Sequence, residues 1–318
     1  MKENNIKHCI HLGDIVDRRK YINYVTARNL KRFLSKFDEL GISTDVIIGN
    51  HDTAFKNTNE YNSMNELYGH SKLNIKYHSE PTDIKIDDIT LAILPWVCSG
   101  NYLESMEYIK STKADVLFGH LEIQGFEMYR GAVNDHGFPT DIFSKFDTVY
   151  SGHFHHKSSR GNISYLGSPY EITWSDWDDD RGFHVYDTHT RELEFIQNPY
   201  KMFHKLHYND SAKPLEDLLA FDTEYLSGSY VKVIIHNKTN PYHFDMFIDK
   251  VEAAGVLDLQ IIEDNLNLNL EDDDMIEEAE DTLSILRKSA EVIDKKPETQ
   301  QKLDMFLTAL YEEALSIE

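Results

Sequence analysis

The chain has 318 residues, with 32 Lys and Arg against 55 Asp and Glu and a formal net charge of −23. Its hydrophobic content of 41% with 12% aromatics excludes global disorder. No apolar run approaches the roughly 18–20 residues that cross a bilayer, and the opening MKENNIKHCIHLGD has no signal-peptide core.

In chain order, residues 8–12 read as a strand and 23–40 as a helix with Leu30, Phe33, Leu34 and Phe37 on one face. Further strands are predicted at 45–48, 89–94, 115–118 and 148–150, with helical character at 102–111. Hairpin-like strands follow at 163–166, 182–186 and 193–196. This alternation predicts an α/β domain over residues 1–200. Residues 201–265 hold two strand patterns, 230–236 and 257–262, around a helix at 243–254, a small second α/β domain. An acidic linker opens residues 266–318. Within these, Ile276, Ala279, Leu283, Leu286, Ala290 and Ile293 repeat at spacings of 3 and 4, a heptad seam. Lys296-Pro297 ends that helix. A second helix carries Leu303, Phe306, Leu307, Leu310 and Ala314 on one face, a helical hairpin expected either to pack on its own domain or, as the linker and the a/d spacing slightly favour, to dock into a partner's helices.

Four segments share one form: HCIHLGD (8–14), DVIIGN (45–50), DVLFGH (115–120) and TVYSGH (148–153). Each is an apolar β run, a glycine and a residue able to bind a metal. Sites in α/β sheets gather beyond the carboxyl ends of strands, where loops leave a rigid scaffold. Asp14, Asn50, His120 and His153 are therefore the candidate ligands. The last segment continues to His155, two residues on and on the same side of an extended chain. Carboxylate, amide oxygen and imidazole without thiolate suit Mn²⁺, Fe or Zn²⁺. Paired ions of this kind activate water for phosphoryl displacement. His51, beside Asn50, is the candidate catalytic side chain, with Asp52 placed to orient it. For Asp17 and Asp52 a loop-capping role weighs equally. The remaining histidines, His8, His11, His70, His78, His136, His184 and His204 among them, read as packing or surface residues.

Cys9 and Cys98 are too few for a disulfide framework and point to a reducing cytoplasm. The net acid sits awkwardly with nucleic acid, which is held mainly by Lys and Arg. Residues 271–318 alone carry 15 Asp or Glu against 5 Lys or Arg. A chain of this kind acting on DNA needs metal ions, a local basic groove or a partner that supplies positive surface.

The wording GDIVD at 13–17, GNHD at 49–52, GH at 119–120 and GHFH at 152–155 resembles the calcineurin-like metallophosphoesterase superfamily. GDIVDRR, LPW at 94–96, GHLEIQGFEMYRG at 119–131, YLGSP at 165–169 and DDRGFHVYD at 179–187 resemble its SbcD-type DNA repair and recombination nucleases, those of T-even-type bacteriophages among them. The resemblance implies a two-sheet sandwich flanked by helices, a small capping domain and C-terminal helices that bind an SMC-like ATPase of SbcC type. It implies DNA as substrate, two divalent ions with Mn²⁺ as the expected metal, and a possible homodimer. By the same resemblance Asp14 is the bridging carboxylate, and Asn50, His120 and His153 complete one metal's shell. His155 serves the other metal, and His51 is the catalytic histidine.

The family pattern begins with a strand ending in Asp-x-His, and the residues before Asp14 contain no such step. The expectation is an N-terminally incomplete nuclease, or a shortened protein that binds one metal and serves as a scaffold, with weak or no cleavage in either case. A phosphomonoesterase of the same superfamily is the other rival, and the heptad hairpin argues against it.

Overall fold

In the computed structural model, the structure describes residues 5–129, 131–211 and 214–263. The acidic linker and the two helices expected within residues 266–318 lie outside the described residues. No helix among the described residues is long and apolar enough to cross a membrane.

Two compact units form. Among the described residues, the first combines 5–129, Val133–Tyr170 and Asp180–Pro199; the second takes 131–132, Glu171–Asp179, 200–211 and 214–263. Mixed α/β structure runs through the first unit. A parallel three-stranded sheet places Ser43–Ile47 between His8–His11 and Ile75–His78. A six-stranded sheet has the order Ser158–Arg160, Ile163–Tyr165, Thr148–Ser151, Val116–Gly119, Ile89–Leu94, Thr82–Ile86. Its four inner strands are parallel, and both edge strands run antiparallel to their neighbours.

The helix Tyr24–Glu39 starts at Asn23, whose side-chain oxygen accepts the Thr26 N–H at 2.8 Å. Leu30 and Leu34 turn inward from it against Val46, Ile48 and Met64, while Phe33, predicted on the same face, stays 46% exposed. The strand Ser43–Ile47 is buried on both faces, which explains its unbroken apolar ending. Ile47, Leu91, Ile93, Val116 and Phe118 form one core cluster of the unit. Ala92, Leu94, Leu117, Val149 and Tyr165 belong to another.

Register brings the strand ends level. Gly119 pairs with both Leu94 and Ser151, so His120 and Gly152 leave the large sheet side by side. His11 pairs with Val46 in the small sheet, so the chain reaches Asp14 and Asn50 a few residues beyond one common edge.

The second unit is a parallel three-stranded sheet with Tyr230–Asn237 between Phe203–Asn209 and Asp258–Glu263. The helix Pro241–Ala253 buries Phe244, Phe247 and Val251 against Tyr208, Val231, Val233 and Ile235. Asn240 caps it, and Pro241 occupies its first turn, where a missing N–H costs nothing. The strand Phe203–Asn209 extends the β-α-β unit legible at 230–262. Within Glu171–Asp179, Trp174 packs on Phe203 and lies under Lys232.

Candidate metal centre

Asp14, His120 and His153 offer ligand atoms that all lie within 4.8 Å of one another. Asn50 joins them: its Oδ1 lies 2.8 Å from His120 Nε2 and 3.0 Å from His153 Nδ1. The two imidazole nitrogens are 3.2 Å apart, and Asp14 Oδ2 is 3.2 Å from His120 Nε2. Four segments far apart in the chain thus deliver one carboxylate oxygen, one amide oxygen and two ring nitrogens to one point.

The chemistry of this donor set fits a cation. His120 is fully buried, and its Nδ1 lies 2.7 Å from the Leu12 carbonyl. That carbonyl takes the Nδ1 proton, so in the neutral ring the Nε2 lone pair faces Asn50 Oδ1. With its amide turned over, Asn50 donates its NH₂ to both imidazole nitrogens and to Asp14 Oδ2, and a metal ion would take the place of those donated protons. Burial lowers the pKa of His120, but the Asp14 carboxylate raises it overall, and the same negative charge favours a metal ion. Burial pushes His153 down to about 3, helped by the His120 charge, so its ring is neutral as a ligand must be. Burial acts upward on Asp14, yet the adjoining His120 and the His51 N–H hold its carboxyl well below the usual range.

Two of the candidate ligands sit on left-handed backbone, Asp14 with φ 52° and His153 with φ 83°. Such conformations are costly outside glycine and persist where surrounding bonds hold them. At Asp14 the holder is Asp52. Its carboxylate accepts the N–H groups of Asp14 and Gly49 at 2.8 Å each, Ile15 at 2.9 Å and Val16 at 3.3 Å. Burial and the Asp14 charge push the Asp52 carboxyl up to about 7 against the pull of those donors. The glycines admit the close packing of these loops. A Cβ on Gly49 would come within 2.3 Å of Asp14 Oδ1, and one on Gly13 within 2.4 Å of His120 Nδ1. Glycine is needed here because neighbouring loops approach, as well as for the turn.

His51 lies at the rim, its side chain 43% exposed. Its N–H donates to Asp14 Oδ1 at 2.7 Å, and its ring Nδ1 is 2.6 Å from the Asp17 carbonyl. The backbone of Asp17, not the carboxylate of Asp52, orients the ring; Asp52 binds backbone N–H groups instead. His155 stands outside the compact group, although its charge acts on His153. Its carbonyl accepts the Ser168 N–H at 3.0 Å and a hydrogen bond from Arg181 Nη1, and Arg181 also donates to Ser168 Oγ at 2.7 Å. Sequence reasoning gave Arg181 no role, because a buried arginine in a DDRGF turn carries no local sign of what it holds. His11, read as a packing residue, is indeed pushed down to about 4 by burial beside the cluster.

The sequence pattern of the calcineurin-like phosphoesterase family matches residues 1–157, which contain all five predicted ligands and His51. Over 207 residues the chain is 36% identical to exonuclease subunit 1 of Enterobacteria phage T4, covering 65% of this chain and 60% of that protein. It is 26% identical over 247 residues to the SbcD subunit of the nuclease SbcCD of Staphylococcus epidermidis, covering 65% and 59%. A putative phosphoesterase of Invertebrate iridescent virus 6 is 25% identical over 191 residues, covering 55% and 62%. The chain spans about three fifths of the length of these curated relatives.

Proposed function

We propose that this chain, which carries a calcineurin-like metallophosphoesterase domain, is the nuclease subunit of a DNA-processing complex. The observation that carries the reading is the convergence of Asp14, Asn50, His120 and His153 on one point. These four would hold one divalent ion, and Asp14 with His155 would hold a second, with Mn²⁺ as the expected metal. When bound, the ions activate water and neutralise charge on the phosphoryl oxygens. His51 donates its Nδ1–H to the Asp17 carbonyl, so as the doubly protonated imidazolium it would give its Nε2 proton to the leaving oxygen as the phosphorus–oxygen bond breaks and remain as the neutral Nδ1–H ring.

The names of two relatives describe subunits, which supports a complex. A coiled-coil ATPase of SbcC type that engages the heptad pattern within residues 266–318 would supply the positive surface this acidic chain lacks. Free Cys9 and Cys98 suit a reducing cytoplasm.

A second reading, a subunit that binds metal and holds the complex together without cutting, draws on His155 standing outside the compact group. One experiment separates them. The purified chain is titrated with Mn²⁺ by calorimetry, then tested on duplex DNA and on a small phosphomonoester. The nuclease reading expects Mn²⁺ binding and measurable, if weak, Mn²⁺-dependent DNA cleavage, both lost in His120→Asn, and robust turnover would overturn the expectation that the site is incomplete. Binding without cleavage selects the scaffold, and hydrolysis of the monoester alone overturns both.

A further inference from the structure

The sequence places two cations side by side after the first ligand step, Arg18 and Arg19, and the structure separates them. Arg18 is exposed, lies over the Tyr21 ring and donates to its hydroxyl. Arg19 turns inward. Its guanidinium carbon sits 5.4 Å from the centre of the Trp96 ring, and its Nη1 is buried with no hydrogen-bond partner. Trp96 is itself fixed, its N–H donating to the Ile48 carbonyl at 2.8 Å, two residues before Asn50. A guanidinium has five donors and no acceptor, and a buried donor without a partner is among the costlier groups in a fold.

The far end of Arg19 reaches the ligand cluster at Asn50. If the Asn50 amide turns its oxygen away from the imidazoles, that oxygen accepts from Arg19 Nη2 at 2.8 Å. If the oxygen faces His120 and His153, as ligation of a metal requires, the amide NH₂ confronts the guanidinium instead. Committing Asn50 to a metal therefore leaves both terminal nitrogens of Arg19 without an acceptor at the edge of the centre. A tetrahedral oxyanion supplies the missing acceptors, and the planar fork of arginine suits it.

We propose that Arg19, braced on Trp96, binds a non-bridging phosphate oxygen at the metal centre. This rests on the reading of the site as a metal centre for phosphodiesters. Its chemistry is that of any phosphate presented there, so inorganic phosphate is the probe.

The test is calorimetric titration of phosphate into the full Mn²⁺-loaded chain, wild type against Arg19→Gln, Arg19→Lys and Arg18→Gln. Circular dichroism melts verify folding, and Mn²⁺ affinity is measured on each variant. Arg19→Gln is expected to weaken phosphate binding about tenfold or more, the loss of one charge-assisted contact. Arg19→Lys recovers part of it, because a point charge replaces a fork. Arg18→Gln stays within about twofold, and Mn²⁺ affinity of Arg19→Gln does not fall, since Arg19 competes with the metal for the Asn50 oxygen. Unchanged phosphate affinity in Arg19→Gln overturns the proposal, as does absence of phosphate binding by the loaded wild type. A parallel fall in Mn²⁺ affinity also overturns it, by making Arg19 a support for Asn50. Failure of DNA cleavage with an intact Arg19 effect sinks the nuclease reading alone.

Discussion

His51 meets the site through two atoms with separate tasks. Its backbone N–H anchors Asp14 Oδ1, and its ring is steered by the Asp17 carbonyl. A substitution that keeps the backbone therefore leaves the ligand cluster in place while removing the acid. His51→Asn is expected to lower the single-turnover cleavage rate roughly 10²–10⁴-fold, with Mn²⁺ affinity little changed. Equal losses in both measurements would put His51 among the ligands. The four converging side chains were legible because each is announced locally by an apolar run and a glycine. Asp52 was legible only as one of two alternatives, the loop cap, without its partners, and Arg19 not at all. Asp52 acts on backbone 36 to 38 residues away, and the difference between Arg18 and Arg19 is made by Tyr21 and Trp96 after folding. No spacing in the sequence records those partners.

At the scale of elements, the long amphipathic pieces followed their patterns: the helices Tyr24–Glu39 and Tyr102–Ser111 and the strands Ile89–Leu94 and Gly182–Tyr186 lie where periodicity put them. The hairpin Thr53–Phe55 with Thr58–Asn62 and the strand Phe203–Asn209 did not announce themselves, because polar and charged residues interrupt their alternation. What fixes Phe203–Asn209 lies beyond it. Asp210, at its end, accepts the N–H groups of Thr239 and Asn240 at 2.7–2.9 Å and joins this strand to the start of the helix Pro241–Ala253. Burial acts upward on its carboxyl, but these donors and the Thr239 and Tyr208 hydroxyls bring it down to about 2. A carboxyl depressed in the folded state stabilises it fully above the unfolded value of about 4 and loses that contribution as pH falls toward 2. Wild type should therefore exceed Asp210→Asn in urea midpoint at pH 5, and the gap should shrink steadily by pH 3. A constant gap across that range would trace the effect to packing instead.

At the scale of the whole molecule, the Asp14 carboxylate makes the candidate centre an attractive point for cations. Negative charge concentrated at Asp14 and Asp52, two strained ligand positions and a four-donor clamp all describe loops that a cation would tighten. An ion that binds only the folded state stabilises it by about 2.7 kcal/mol at a concentration 100 times its dissociation constant. That stabilisation is delivered where the ligands are. Because Asp14, Asn50, His120 and His153 all belong to the first unit, Mn²⁺ should slow amide hydrogen exchange in the loops at 12–17, 49–53, 119–121 and 152–156. The sheet and helix spanning 203–263 should exchange as before. Protection spread evenly through both units would mean that the ion acts on the fold at large, and protection confined to the second would remove the centre from these residues altogether. The measurement needs no substrate, so it locates the metal whether or not the chain cuts DNA.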